Sequence, residues 1–357
     1  MCESYLIFVT NTMDVDEAKS ETKMKEAEEM SPHWSKRKSR STGASYYLFH
    51  DPKTGHTMSQ FCPPPHTTQV SSHYDGVTLS SSSKDRDSSD VSALRTFHNQ
   101  VKGRMADDAV KRIQNAFTKD VKLRIVDLAA GKGSGLHKWH GVQVQKYFAT
   151  DISPQACLEM QRRWKNMKRR AQTGSAMASC SLTTICADLK GNNPSPFVFK
   201  PGQRAHIVTL HFALNYFAET PRTMDDLMRK VSDMLEPGGI FMVTFMNWDT
   251  LESYFKKYGE RGDGDTTVLR TPIFTLVRES GRKQYTVQLN TCLAGCPEFG
   301  VRPGIDVECR AAAHCLRLVK FVKMLSMYDP YRKAGMSSEE ELFSSLNCSM
   351  MFQKQSK

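Results

Sequence analysis

The sequence predicts an α/β fold in which a mainly parallel sheet is covered by helices on both faces. Three observations predict it. From residue 91 onward, apolar runs of strand length alternate with amphipathic stretches of helical length. The first run leads into a glycine-rich loop, DLAAGKGSG at 127–135. Three successive runs finish at an aspartate: Asp127, Asp151 and Asp188.

The strands are expected in order at RIVDLAA (124–130), KYFATD (146–151), LTTICAD (182–188), HIVTLHF (206–212) and GIFMVTF (239–245). Helices are expected near 153–170 and 221–235, the second ending in LEPGG, a helix stop followed by a turn. ECRAAAHCLRLVKFVKML (308–325) reads as a further amphipathic helix. Sheets of this kind bind ligands beyond the carboxyl ends of their strands.

Residues 1–90 read as a mostly disordered extension. The tract 14–30 is charged and poor in large apolar residues, and 78–90 is a serine-rich, low-complexity run. Between them, SKRKSR (35–40) is a basic run that fits a nuclear localisation signal or a nucleic-acid contact. SYYLFHDPKTGHTMSQF (45–61) places strand-like aromatics around a turn. The extension holds ten Lys+Arg against thirteen Asp+Glu, so residues 91–357 carry +14 of a net +11. A unit that basic suits a polyanionic partner. No run approaches the length of a transmembrane helix, and the first residues lack the basic flank of a secretory signal. The ten cysteines form no CxxC pair, so reduced thiols are expected and neither a zinc site nor a redox motif.

The glycine loop decides the ligand. A P-loop requires GxxxxGK[ST], a spacing absent here. The dinucleotide fingerprint GxGxxG lacks its third glycine in GKGSGL. A loop passing under adenosylmethionine fits better, because that ligand has no pyrophosphate to cradle. Asp151 then stands where an acid takes both ribose hydroxyls, and Asp188 where one meets the adenine edge. Each aspartate alone also reads as a cap or turn residue. Three at successive strand ends favour the cofactor.

These residues resemble the eukaryotic mRNA cap guanine-N7 methyltransferase family. DLAAGKGSGLHKW (127–139) matches its DLGCGKGGDLxKW segment without a gap. TDIS (150–153), HFALNYFAET (211–220), LRTFHNQVK (94–102) and YTVQLNTCLAGCPEF (285–299) follow its further motifs. The order of motifs over residues 91–354 carries the resemblance. It implies a Rossmann-like adenosylmethionine-dependent methyltransferase with a seven-stranded sheet, a domain over 91–357 and a substrate-covering insertion at about 250–345. Carried over by position, Lys102, Asp127, Gly131, Asp151, Asp188 and His211 would hold S-adenosyl-L-methionine, leaving S-adenosyl-L-homocysteine as product. Asn99, Asn215, Tyr216, Glu298 and Asn347 would line the cap guanine pocket, with Arg95 and His98 on the same closing helix as Asn99.

The implied reaction is methylation of the guanosine cap at N7, in the nucleus, on the 5′ end of capped RNA (GpppN). The implied protein partners are RNA guanylyltransferase/triphosphatase or RNA polymerase II, with no membrane. Guanine N7 is unprotonated at neutral pH, so no general base and no metal are expected. RRWKNMKRR (162–170) would contact the cap triphosphate or RNA backbone, or form a solvated helix face. Four departures stand out: Ala129 for a family glycine, Gly135 for an acid, Asn215 for a histidine and Asn347 for a tyrosine. They leave two other readings open, a cap-binding or regulatory subunit of the same fold and a small-molecule methyltransferase.

Overall fold

The computed structural model describes residues 33–39, 42–60, 69–80, 91–139, 141–171, 179–190, 195–197, 199–200, 202–289, 293–302, 306–327 and 335–356. Its first elements lie in the stretch expected to be mostly disordered. β1 (Trp34–Lys38), β2 (Ser45–His50) and β3 (Thr57–Gln60) pair as an antiparallel meander. The expected aromatic hairpin is there, its turn held by Asp51, which accepts from the Lys53 N–H at 3.0 Å. α1 (Gln69–Ser80) follows. The expectation for 1–90 is corrected over these residues. Trp34, Phe49 and Met58 find their apolar partners far along the chain, at Cys157 and Cys186, where a local reading of composition cannot see them. The charged tract 14–30 lies outside the described residues, as do 81–90 of the serine-rich run.

α2 (Ser92–Ala116) opens the domain proper. The five expected strands form as β4 (Leu123–Leu128), β5 (Val144–Asp151), β6 (Ser181–Cys186), β7 (Ala205–His211) and β8 (Leu235–Met246). All pair in parallel in the order β8-β7-β4-β5-β6. The order reverses at β4, with β5 on one side and β7 on the other, which opens a crevice above the carboxyl ends of the strands. Alternate residues feed the two faces: Ile125, Ile207 and Ile240 pack with α2, and Val126, Val208 and Phe241 with the opposite helices.

α3 (Pro154–Arg170) starts where Ser153 accepts from the Ala156 N–H and proline takes the first turn. α4 (Pro221–Met234) starts on a Thr220 capping box. Leu235–Gly239, expected as a stop and turn, does end α4, and the chain enters β8 directly, with Gly238 at φ +83° beside the register shift against β7.

Beyond α5 (Trp248–Tyr258) the chain builds a second, antiparallel sheet in the order β13-β12-β11-β10-β9. Its strands are β9 (Glu260–Arg261), β10 (Thr266–Arg270), β11 (Phe274–Glu279), β12 (Gln284–Leu289) and β13 (Leu293–Phe299). The expected helix over 308–325 is corrected. α6 (Val307–Ala313) stops after seven residues, Cys315 turns the chain at φ +61°, and β14 (Leu316–Lys323) follows. β14 joins the main sheet through β15 (Asn347–Lys354), which pairs antiparallel with β8 and completes seven strands. The insertion expected at about 250–345 is therefore split: its sheet spans 260–299, and the chain is back on the main sheet by 316. The apolar spacing of 316–323 suited a helix face and a half-covered edge strand alike, and pairing with β15 decides it.

α7 (Ser338–Ser345) carries a carboxylate that sets the wall of the site. Glu340, 3% exposed, accepts from the Ser337 N–H at 2.9 Å and from the Leu94 N–H of α2 at 2.8 Å. One side chain thus caps two helices. Among the described residues no helix is long and apolar enough to cross a membrane. Replacing Glu340 with Ala leaves both donors buried without a carboxylate, and unfolding by denaturant is expected to show a loss of about 2–4 kcal/mol. Glu340→Gln, which keeps an acceptor, is expected to lose about half as much.

Candidate active site

Two adjoining cavities open above the carboxyl ends of β4, β5 and β7. The smaller, of about 520 Å³, contains every residue expected to hold the cofactor: Lys102, Asp127, Gly131, Asp151, Asp188 and His211. The larger, of about 840 Å³, is lined by Asn99, Asn215, Glu298 and Asn347. Arg95, Lys102, Lys138, Arg163 and Phe212 line both, so the cavities share a basic rim. The expected site residues are brought together, with Tyr216 on the smaller side.

Asp151 ends β5 with its carboxylate 8% exposed. It accepts from the Gly131 N–H at 2.7 Å and the Ser153 N–H at 3.0 Å, so one side chain fixes both the glycine loop and the entry to α3. Burial raises its carboxyl to about 6. Each oxygen keeps spare acceptor capacity for a hydroxyl pair. Gly131 and Gly133 take φ +54° and +78°, which lets the loop turn under the cavity. Ala129, at φ +50°, stands in the same left-handed region at a cost of about 1 kcal/mol that glycine avoids.

Asp127 accepts from the Tyr147 and Thr209 hydroxyls, each at 2.7 Å, and burial raises its carboxyl. Lys102 lies beside it on α2. Burial and the Lys138 ammonium lower Lys102 to about 8, and its ammonium sits 5.3 Å from the Phe212 ring centre. Phe212 itself is held at φ +57° and stacks on His98, with ring centres 5.1 Å apart. Burial and Lys102 bring His98 to about 3, so it is a neutral wall that bonds Ser344 at 3.2 Å. His211 is likewise held neutral by burial and bonds Thr244 at 3.0 Å. A neutral imidazole offers one donor and one acceptor. Asp188 accepts from the Lys190 N–H at 2.8 Å. The lining is mostly apolar, from Ile152, Ala187, Leu189, Ala213 and Phe217, with a few convergent polar groups. A pocket of this size and make-up, with buried carboxylates and a lysine among its lining, fits adenosylmethionine.

The larger cavity is lined by Glu298, on β13 and 7% exposed. Tyr285 donates to it at 2.9 Å, and the Tyr216 hydroxyl bonds it as well. Burial outweighs both donors and lifts its carboxyl to about 7. Asn215 donates to the Tyr285 hydroxyl at 2.6 Å, and Tyr74 of α1 meets the Tyr216 hydroxyl at 2.7 Å. One chain of hydrogen bonds therefore runs from α1 through Glu298 to the end of β7. The departures from the family acquire partners here. The Asn215 amide is spent on Tyr285. Asn347, 2% exposed, donates to the Phe343 carbonyl at 2.8 Å. Asn99 sits exposed on the rim, accepting from Lys138 at 3.2 Å.

Sequence reasoning missed Val70, Tyr74, Phe212 and Tyr285. Tyr74 and Val70 stand four apart on one face of α1, a spacing legible in QVSSHY once a helix is allowed there. Phe212 and Tyr285 lie within motifs quoted above, but their roles in the site carried no local sign.

A glycine loop at a sheet switch point, an acid ending the second strand and a five-parallel, seven-stranded sheet define an adenosylmethionine-dependent methyltransferase fold. The mRNA (guanine-N(7))-methyltransferase domain matches residues 62–331, and the chain belongs to that family. It is similar to the mRNA cap guanine-N(7) methyltransferase of Drosophila melanogaster, 25% identical over 177 residues, which is 50% of this chain and 42% of that one. It is also similar to the Caenorhabditis elegans protein of the same description, 26% identical over 201 residues, 55% of this chain and 49% of that one. The chain spans about half the length of the curated relatives it matches. A solved S-adenosylmethionine-dependent methyltransferase from Clostridium acetobutylicum superposes with a TM-score of 0.44 at 12% identity, over 76% of this chain and 94% of that one.

Gly135 has a reason to lack the family acid. A Cβ at 135 would meet the Asp127 carboxylate at 2.6 Å and the Tyr147 hydroxyl at 2.9 Å. Gly135→Asp is therefore expected to crowd Asp127 with a second buried negative charge. Thermal unfolding should show a loss of about 1–3 kcal/mol, and calorimetry an affinity for adenosylhomocysteine lower by about tenfold.

Proposed function

We propose that the protein transfers a methyl group from S-adenosylmethionine to N7 of the guanosine cap at the 5′ end of mRNA. The observation that carries this reading is that the cofactor cavity shares lining residues with a second one lined by Glu298, a buried carboxylate held by two tyrosines. Membership of the cap methyltransferase family supports it.

Bound adenosylmethionine supplies an electrophilic methyl on a sulfonium. The protein's task is to bring guanine N7 in line with it, which is catalysis by orientation. Asp151 would take the ribose hydroxyls, Asp188 and His211 the adenine end, and Lys102 the carboxylate of the methionine moiety. Asp127 holds Lys102 electrostatically and is itself fixed by Tyr147 and Thr209. Glu298 would accept from N1–H and N2–H₂ of guanine. Those bonds strengthen as the ring becomes cationic. Tyr216 and Tyr285 aim the carboxylate, and Asn215 aims Tyr285. Asn99 and Asn347 border the same cavity. On this reading the protein would act in the nucleus on capped RNA, with RNA guanylyltransferase/triphosphatase or RNA polymerase II as its protein partners.

A second reading, cap recognition without chemistry, draws on the Asn215 and Asn347 amides, which are spent inside the protein. Incubation of GpppA-ended RNA with methyl-labelled adenosylmethionine, followed by nuclease digestion, separates the two. Label in 7-methylguanosine is the expected result. Cofactor and cap binding without label would establish the second reading.

Glu298 also sets a pH dependence. Its carboxyl titrates near 7 instead of in the ordinary carboxylate range, so it is neutral below that pH and ionised above it. Guanine recognition needs the ionised form. kcat/KM for capped RNA should rise as pH increases through about 7, falling by about tenfold per unit on the acid side. The raised value means the protonated form suits the fold, so stability from this group is present at low pH and lost as pH rises through about 7. Glu298→Gln is expected to abolish cap turnover and, at about pH 8, to raise the stability of the ligand-free protein by about 1–3 kcal/mol.

A further inference from the structure

The meander β1–β3 lies before residue 62, outside the matched methyltransferase domain. Its charge is one-sided. Among its described residues 33–60, Lys36, Arg37, Lys38 and Lys53 are exposed, as are His33, His50 and His56. The one carboxylate, Asp51, is 1% exposed and bonded within its own turn. The register puts Trp34, Phe49 and Met58 in one row facing the domain, and Lys36, Tyr47 and Gln60 in the next row of the same face. Arg37 and Tyr46 pair on the opposite face. The Lys36 ammonium lies 5.8 Å from the Tyr47 ring centre.

Two anchors fix this sheet beside the active site. Gln60 donates to the Cys186 carbonyl and accepts from the Cys186 N–H, both at 2.9 Å, gripping β6 two residues before Asp188. The apolar row packs on Cys157 and Leu158 of α3. Six residues further along that helix from Cys157, about 9 Å by its rise, Arg163 enters both cavities. Arg162, Lys165, Lys168, Arg169 and Arg170 of α3 are exposed or half-exposed cations on the same element.

We propose that the β1–β3 meander is a single-stranded RNA-binding surface that holds the transcript beyond the cap, with Arg37 on a phosphate and Tyr46 stacking a base on the outer face, and the exposed Lys36 and Lys38 taking phosphates along the edge of β1. Cations interleaved with aromatics, with no exposed acid among the described residues of the meander, are the composition that binds single strands without sequence preference. An acidic protein would be served by the charges alone, whereas the tyrosines suit bases. The inference rests on the capped-RNA reading given above.

The test uses the full chain and two substrates, the GpppA dinucleotide and a capped, unstructured RNA of about 20 nucleotides. The variant is Lys36→Gln/Arg37→Gln/Lys38→Gln, all exposed positions outside both cavities. Turnover of GpppA is expected to stay unchanged while KM for the long RNA rises about tenfold, with a shallower dependence on salt between about 50 and 200 mM. Tyr46→Leu is expected to weaken binding of the uncapped RNA about fivefold and leave heparin binding unchanged. An unchanged KM for the long RNA would overturn the proposal, as would equal losses on both substrates or a parallel loss of heparin and RNA binding by Tyr46→Leu. If the unsubstituted protein turns over neither substrate, the methyltransferase reading fails by itself. Filter binding of the uncapped RNA by the two variants then still decides the meander.

Discussion

The arrangement depends on one carboxylate that bonds to backbone on two sides. Asp151 takes the Gly131 N–H and the Ser153 N–H. The first bond sets the path of the loop after β4, and the second sets the first turn of α3. Both segments wall the cofactor cavity. Because the contacts are main-chain donors, the loop's shape is tied to the end of β5 and not to the identity of its side chains. That explains how Ala129 and Gly135 depart from the family while the loop keeps its course. The exchange at 135 is compensated: space that an acid would use is filled by Asp127 with Tyr147 and Thr209.

The second cavity is built on a different principle. Its carboxylate is held by side chains from three other segments, joined in one hydrogen-bond chain from Tyr74 through Tyr216, Glu298 and Tyr285 to Asn215. If Tyr216 donates to Glu298, Tyr74 must donate to Tyr216, so the chain has a direction that converges on the carboxylate. Converging donors stabilise the charge, and burial opposes it. The balance leaves Glu298 near neutrality, poised so that a guanine offering two more donors would tip it to the ionised form. On the proposed reading, specificity and charge would be coupled in one group.

Legibility in the sequence followed the range of the contacts. The glycine loop, the strand-end acids and the strands β4–β8 were readable because local backbone rules write them: alternation of apolar runs, glycine where φ is positive, acids beyond strand ends. In the meander the hairpin of β2 and β3 was readable, but β1 and the docking of the sheet were not, since its apolar row is completed by Cys157 and Cys186, about a hundred residues away. β14 was misread because a half-covered edge strand and a helix face share an apolar spacing, and its partner β15 lies beyond α7. Positions of site residues carried over by family motif fell into the two cavities. The bonds that orient them did not follow from the motifs. Asn215 shows the gap: its place was readable, but its partner Tyr285, 70 residues on, was not.

The same logic bears on why the substituted asparagines need not signal decay. A decayed pocket leaves polar atoms buried without partners, at a cost of about 1–3 kcal/mol each. Asn215 and Asn347 are both nearly fully buried, and both amides are satisfied, by Tyr285 and by the Phe343 carbonyl. Phe212 supports the same conclusion from strain. A non-glycine residue at φ +57° costs about 1–3 kcal/mol, and it persists on the shared wall of the two cavities, between His98 and Lys102. Strain kept where two ligands would meet, together with polar groups fully paired around it, is the pattern of a site under constraint. A fold retained only as scaffold would have no reason to hold either.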